Sequence, residues 1–366
     1  MTVRFGNVTF SDWASLEYED GFTDTFIFHI DALNGLPPFG YRPLLQRMAA
    51  RLNNKRRGAS LWIQVDAPGE WYLMELKRSL SRGFKVPHVV TAAGQIPEWA
   101  AFSRRPDVWH SKCAEPPAIK TKPDLVSMNE LKCMRVLARI KEGQISEIAS
   151  LADLDEIAVT NYISALREKK LLLPAPDKED AKIQAPYWKL SRKGLSYTMR
   201  RWNAPPRVDF TNRREGGDPN DIRTPHRHVS RMWPAWLRSA YPRAEIWMGW
   251  SEVSIPGISV RPDALAWGRI QGFETLFWLE VGDNHKKRDK IESNTRTRLK
   301  QAMIFCRRTG VRLVFAQLSP NWVKKAAQWG MANLPGDVAV IMSSKNSFGK
   351  LPLVEWGKIT MLNFNY

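Results

Sequence analysis

The chain has 366 residues, with 55 Lys and Arg against 37 Asp and Glu, a net charge of +18 at neutral pH and a pI near 9.9. At 43% hydrophobic and 25% charged residues it reads as globular, and it has neither the roughly 18-residue apolar run of a membrane span nor a basic amphipathic helix suited to a membrane surface. The start, MTVRFGNVTFSDW, lacks the regions of a secretory signal, and the three cysteines, Cys113, Cys133 and Cys306, are scattered. The expectation is therefore a cytoplasmic, nucleoid-associated protein of two or three domains whose polyanionic partner is double-stranded DNA.

Residues 1–101 alternate strand and helix signals and predict a small α/β domain of unassigned role. Strands are expected at Thr23–Asp31, Ser60–Asp66 and Lys85–Thr91. A basic helix is expected at Gly40–Asn54, and a second after Pro68–Gly69 that turns Leu73, Met74, Leu76 and Leu80 inward. Asp66 followed by Glu75-Leu76-Lys77 mimics a D…ExK motif, but Leu73, Leu76, Leu80 and Phe84 keep a helical period through it. His110 and Cys113 have ligand-like spacing without a second pair, which argues against zinc. Phe102–Pro123 reads as a linker.

Residues 124–202 hold three helix signals. Ser127 and Glu130 form a capping box before the apolar face Leu131, Met134, Leu137 and Ala138. Gln144–Ala152 follows, then Asp155–Lys170 with Val159, Tyr162, Ile163 and Leu166 inward. The opposite face of this third helix carries Thr160, Asn161, Ser164, Arg167 and Lys170, groups suited to base edges and phosphates. Two short apolar runs flank a polar stretch, ending in YWKLSRKG. This resembles a winged helix-turn-helix. The resemblance implies that the third helix enters the major groove and that Lys178 and Lys182 on the wing hold the backbone. The segment's own charge is only +3, fourteen Lys and Arg against eleven acids.

After a Pro- and Gly-rich linker at 203–225, a helix is expected at Val229–Tyr241 and strands at Glu245–Val253, Ser259–Ile270 and Phe273–Val281. Gln271-Gly272 suits a two-residue hairpin turn. Closing the hairpin there sets Asp263 opposite Glu280, a like-charged pair that needs a neutralising cation. A basic helix at Lys290–Arg308, a strand at Val311–Leu318, a helix at Asn321–Ala332 and a strand at Val338–Met342 complete residues 226–366. The segment Asn284–Arg312 has ten Lys and Arg against two acids, a local +8.

The phrases RPDA and WLEVGD, in the order helix, three strands, helix, strand, resemble the PD-(D/E)XK nuclease-like superfamily, the restriction-endonuclease-like fold. The resemblance implies a mixed α/β and α+β multidomain chain with Asp263 and Glu280 as ligands of Mg²⁺ or Mn²⁺, the metal activating water. The superfamily's lysine two residues after the Glu is replaced by Gly282. Lys286 or Lys287 would then have to serve as the catalytic cation, with Lys290 or Lys300 as further substitutes and Glu252 and Asp283 as further carboxylates. Arg296, Arg298 and Lys300 on the basic helix are expected to contact DNA.

Together, the winged helix and the nuclease-like segment are similar to the replication-relaxation family of plasmids and mobile elements. That implies a DNA-binding protein that engages and, if its site is active, nicks duplex DNA. A regulator without chemistry and an assembly component holding a protein or RNA partner are the alternatives.

Overall fold

The computed structural model describes residues 3–5, 8–10, 12–18, 21–33, 37–42, 45–46, 60–81, 83–84, 87–95, 126–140, 142–175, 187–202, 225–251, 253–282, 288–318, 334–343 and 351–362. The chain is mixed α/β with several sheets, and it divides into two compact units, Met1–Val208 and Asp209–Tyr366. No helix among the described residues is long and apolar enough to cross a membrane.

The first unit opens with a hairpin of β1 (Val3–Phe5) and β2 (Val8–Phe10). A four-stranded sheet follows, ordered β3 (Asp12–Tyr18), β4 (Gly21–Asp31), β5 (Ser60–Asp66) and β6 (His88–Ala92). The last three strands run parallel, and β3 lies antiparallel at the edge. Parallel strands are covered on both faces, and on β5 the neighbours Leu61, Trp62 and Ile63 are all buried. Strand β6 begins later than expected, because Pro87 has no N–H for the ladder and instead accepts a bond from Leu61 at 2.9 Å through its carbonyl. The expected helix at Gly40–Asn54 is preceded by a 3-10 turn at Pro38–Gly40, and most of it lies outside the described residues.

Helix α1 (Glu70–Ser81) buries Trp71, Tyr72, Glu75, Leu76 and Leu80. Met74, expected inward, is 43% exposed, because the aromatic pair at 71–72 claims the inner face. Glu75 pairs with Arg78 at 3.2 Å one turn along this helix, so the D…ExK mimic is helical.

The second part of this unit runs α2 (Met128–Ile140), β7 (Glu142–Gly143), α3 (Ile145–Ala152), α4 (Glu156–Glu168), β8 (Leu172–Pro174), β9 (Trp188–Leu190) and α5 (Arg192–Trp202). The three strands form an antiparallel sheet ordered β7-β9-β8. Leu131, Met134, Leu137, Ile148, Val159, Ile163, Leu166 and Leu171 make its core. The capping box is present: Ser127 N–H donates to Glu130 at 2.5 Å, and Glu130 N–H donates to Ser127 Oγ at 3.2 Å. The buried Glu130 also accepts Lys169 Nζ at 2.6 Å, which ties the end of α4 to the start of α2. Arg139 donates to the Leu33 carbonyl at 3.1 Å, joining α2 to the turn after β4.

The second unit is built on a six-stranded sheet ordered β10 (Glu245–Ser251), β11 (Ala264–Ile270), β12 (Phe273–Val281), β13 (Arg312–Leu318), β14 (Val338–Ser343) and β15 (Ile359–Leu362). Strands β10 to β12 are antiparallel, and β12 to β15 are parallel. Helix α6 (Pro225–Ala240) precedes β10, and α7 (Arg288–Thr309) links β12 to β13. The elements up to β14 come in the order the sequence predicts, with two corrections. Strand β11 starts at Ala264 rather than Ser259, since Pro256 and Pro262 break the pairing pattern, and β15 was not anticipated. The expected helix at 321–332 lies outside the described residues.

One sheet face packs Ala264, Ala266, Phe277, Leu279, Val314 and Ala316 on Val229, Trp233 and Leu237 of α6. Trp233 Nε1 also donates to the Phe277 carbonyl at 3.1 Å. On the other face Trp278 meets Phe305 of α7 edge-on, with centroids 6.4 Å apart. Close approach of α6 requires Gly249, where an added Cβ would stand 2.1 Å from Pro234 Cγ. Gly249→Ala is therefore expected to cost about 1–3 kcal/mol in denaturant unfolding of the full chain by overpacking.

Candidate functional site

Two surfaces hold the side chains that the sequence singles out, one in each unit. In the second unit the β11–β12 turn has φ of 52° at Gln271 and 81° at Gly272, the two positive values of a type I′ turn. The ladder runs from Ile270↔Phe273 to Ala264↔Leu279, so Asp263, expected opposite Glu280, lies just beyond its end. Asp263 N–H donates to the Leu279 carbonyl at 3.1 Å, and its Oδ2 accepts Val281 N–H at 2.7 Å.

Glu280 is 2% exposed. Its Oε1 accepts Trp278 Nε1 at 2.7 Å, and its Oε2 is ion-paired with Arg298 of α7. Burial, and next the Asp263 charge, push the Glu280 carboxyl well above its ordinary range, while Arg298 and Trp278 pull it down. Arg298 also donates to the Arg261 carbonyl at 3.3 Å. Beside Glu280 across the parallel β12–β13 ladder stands Gln317. It is 5% exposed, and its Oε1 is buried with no hydrogen-bond partner among the described residues.

Arg298, expected to contact DNA, is ion-paired with Glu280 and one-third exposed. Arg296 and Lys300 are exposed on the outer face of α7, as is Arg307. Lys286, Lys287 and Asp283 lie outside the described residues, as do Glu252 and the Lys290 side chain. A hard divalent cation needs several free oxygen ligands. Both Glu280 oxygens already meet N–H donors, and among the described residues no three His, Cys, Asp or Glu are grouped to hold a metal. The Asp263–Glu280 pair as built does not fit Mg²⁺ or Mn²⁺.

In the first unit, Asp155 caps α4 by accepting the N–H groups of Ile157 and Ala158 at 2.9 and 3.1 Å. Val159, Ile163 and Leu166 are buried, while Thr160, Asn161, Ser164, Arg167 and Lys170 are all exposed. Thr160 and Ser164 donate back to the carbonyls of Glu156 and Thr160 at 2.8 and 3.0 Å, which leaves their oxygens facing outward as acceptors. Lys178 and Lys182 lie outside the described residues. The sequence reading missed Ile157, 76% exposed on the same stripe one turn before Thr160 and Asn161. Its i, i+3, i+4 spacing to those two was the available signal.

No family model matches the chain, and no curated protein matches it. Among solved structures it is similar to the adhesin competence repressor AdcR of Streptococcus pyogenes, with 16% identity over 23% of this chain and a TM-score of 0.18. The match spans 61% of that repressor, and at this score it carries no structural argument.

Asp155→Ala removes the side-chain N-cap of α4. It is expected to lower stability by about 1 kcal/mol and to raise amide exchange in the first turn of α4, read by hydrogen exchange.

Proposed function

We propose that the chain is a double-stranded-DNA-binding protein in which residues 124–202 form a winged helix-turn-helix and α4 enters the major groove. The observation that supports this best is the polarity of α4: Val159, Ile163 and Leu166 are buried, while Thr160, Asn161, Ser164 and Arg167 are exposed together on it, between the exposed acids Glu156 and Glu168, with Lys170 exposed in the turn just past its end. Asn161 has the amide pair that reads adenine, and the Ile157 side chain suits a thymine methyl. Arg167 and Lys170 sit where phosphates flank the groove.

In this reading residues 226–366 are a PD-(D/E)XK-like core that engages duplex DNA through the outer face of α7, with Arg296, Lys300 and Arg307, and does not cut it. From the resemblance of its phrases to the replication-relaxation family we infer that such a protein serves a plasmid or mobile element. The net charge of +18 supports a backbone-dominated, salt-sensitive affinity.

A second reading is kept by one observation. Asp153, Asp155 and Glu156 are exposed at the start of α4 beside Ile157, a composition that also suits a protein partner. An assembly component is then the alternative, and it predicts weak DNA binding without sequence preference.

Site selection from random duplexes, followed by anisotropy titration, separates the two. The DNA reading expects an enriched motif, with Asn161→Ala losing about 1–3 kcal/mol on that motif. It also expects Lys170→Ala to weaken all sequences alike and reduce the salt slope by about 1. No enriched motif, together with unchanged affinity in Asn161→Ala, contradicts it.

A further inference from the structure

Glu280 sets a physical problem that the fold must solve. Its side chain is 3% exposed, and an ionised carboxylate that deep is strongly unfavourable unless it is paired and hydrogen-bonded. Asp263 across the hairpin adds a second negative charge, and Gln317 adds a third oxygen acceptor on the neighbouring strand. Such a row calls for one cation, supplied either by a metal or by the chain.

We infer that Arg298 is the resident cation of the Asp263–Glu280 site, so that this core holds its carboxylates without a divalent metal. The guanidinium meets Glu280 Oε2, while a Trp278 N–H at 2.7 Å holds the other oxygen. The same Arg298 nitrogen reaches the Arg261 carbonyl at 3.3 Å, two residues before Asp263. It therefore braces the segment leading into β11 as well as the carboxylate on β12. Arg298 is one-third exposed where Glu280 is sealed, so the cation has one side open to solvent while the carboxylate has none.

The asymmetry gives the pair a direction. Removing Arg298 strands a sealed negative charge, whereas removing the charge of Glu280 releases a guanidinium that can turn to water. Asp263, meanwhile, is held by the Val281 N–H at 2.7 Å, a hydrogen bond that needs no metal. The inference concerns the free protein and stands apart from whether α4 binds DNA.

The test is titration of the purified full chain with Mn²⁺ and with Mg²⁺, by calorimetry and thermal unfolding, without DNA. The expected result is no saturable heat and a Tm unchanged to within about 1 °C, since a ligand bound only to the folded state would raise it. Arg298→Met is expected to lower the Tm by roughly 10 °C, Glu280→Gln by clearly less, and the double variant Glu280→Gln/Arg298→Met is expected to recover most of the Arg298→Met loss. If Arg298→Met does not fold, folding of the double variant still reads the coupling. Saturable Mn²⁺ binding by the wild type that Glu280→Gln or Gln317→Leu abolishes overturns the inference. So does an Arg298→Met variant as stable as the wild type.

Discussion

The register of one hairpin governs the second unit. Positive φ at both Gln271 and Gly272 closes β11 on β12 with no residue to spare, and every pair outward to Ala264↔Leu279 follows. A slip of one residue would carry Glu280 to the apolar α6 face, among Phe277, Leu279 and Ala266. The turn is fastened from outside the hairpin too. Gln271 Nε2 donates to the Val354 carbonyl at 2.9 Å, and Trp356 Nε1 donates to Gln271 Oε1 at 2.7 Å. The left-handed glutamine at this turn is thus held by side-chain bonds that asparagine is too short to copy.

With the register set, the two faces of the sheet divide their tasks. The α6 face is apolar and closely packed, with Gly249 removed of any side chain so that Pro234 can approach. The α7 face mixes large aromatics with the polar row of Asp263, Glu280 and Gln317. Helix α7 is thereby amphipathic in an uncommon sense: Leu299, Ala302 and Phe305 bury apolar surface, Arg298 spends its charge inward, and Arg296, Lys300 and Arg307 keep theirs outward. A count of cations along this helix overstates what is available to a phosphate backbone, since Arg298 is already committed.

How far the sequence was legible depends on how local each signal was. The hairpin turn, the β11–β12 register it sets, and the capping box at Ser127 follow from period and spacing alone. So does the outward set on α4, because buried Val159, Ile163 and Leu166 fix the helix phase. Strand β3 was not legible, since DWASLEY mixes charge and small residues without clean alternation, and β15 has only four residues, all half-buried, too few for a periodic signal. The role of Arg298 was hidden for a different reason. It depends on α7 crossing back over the sheet to place position 298 above position 280, a tertiary relation that no window of sequence contains. The metal expectation came from the resemblance and the like-charge pair.

The proposed function has α4 and the outer face of α7 each meet DNA, and the further inference has the carboxylate pair neutralised from within. The most direct measurement of that combined claim is incubation with supercoiled DNA and with its selected duplex, in excess chelator and in Mn²⁺ or Mg²⁺, beside Asp263→Ala. The account predicts equal affinity in chelator and in metal, and supercoiled DNA left intact in every condition. Metal-dependent nicking by the wild type that disappears in Asp263→Ala would contradict it.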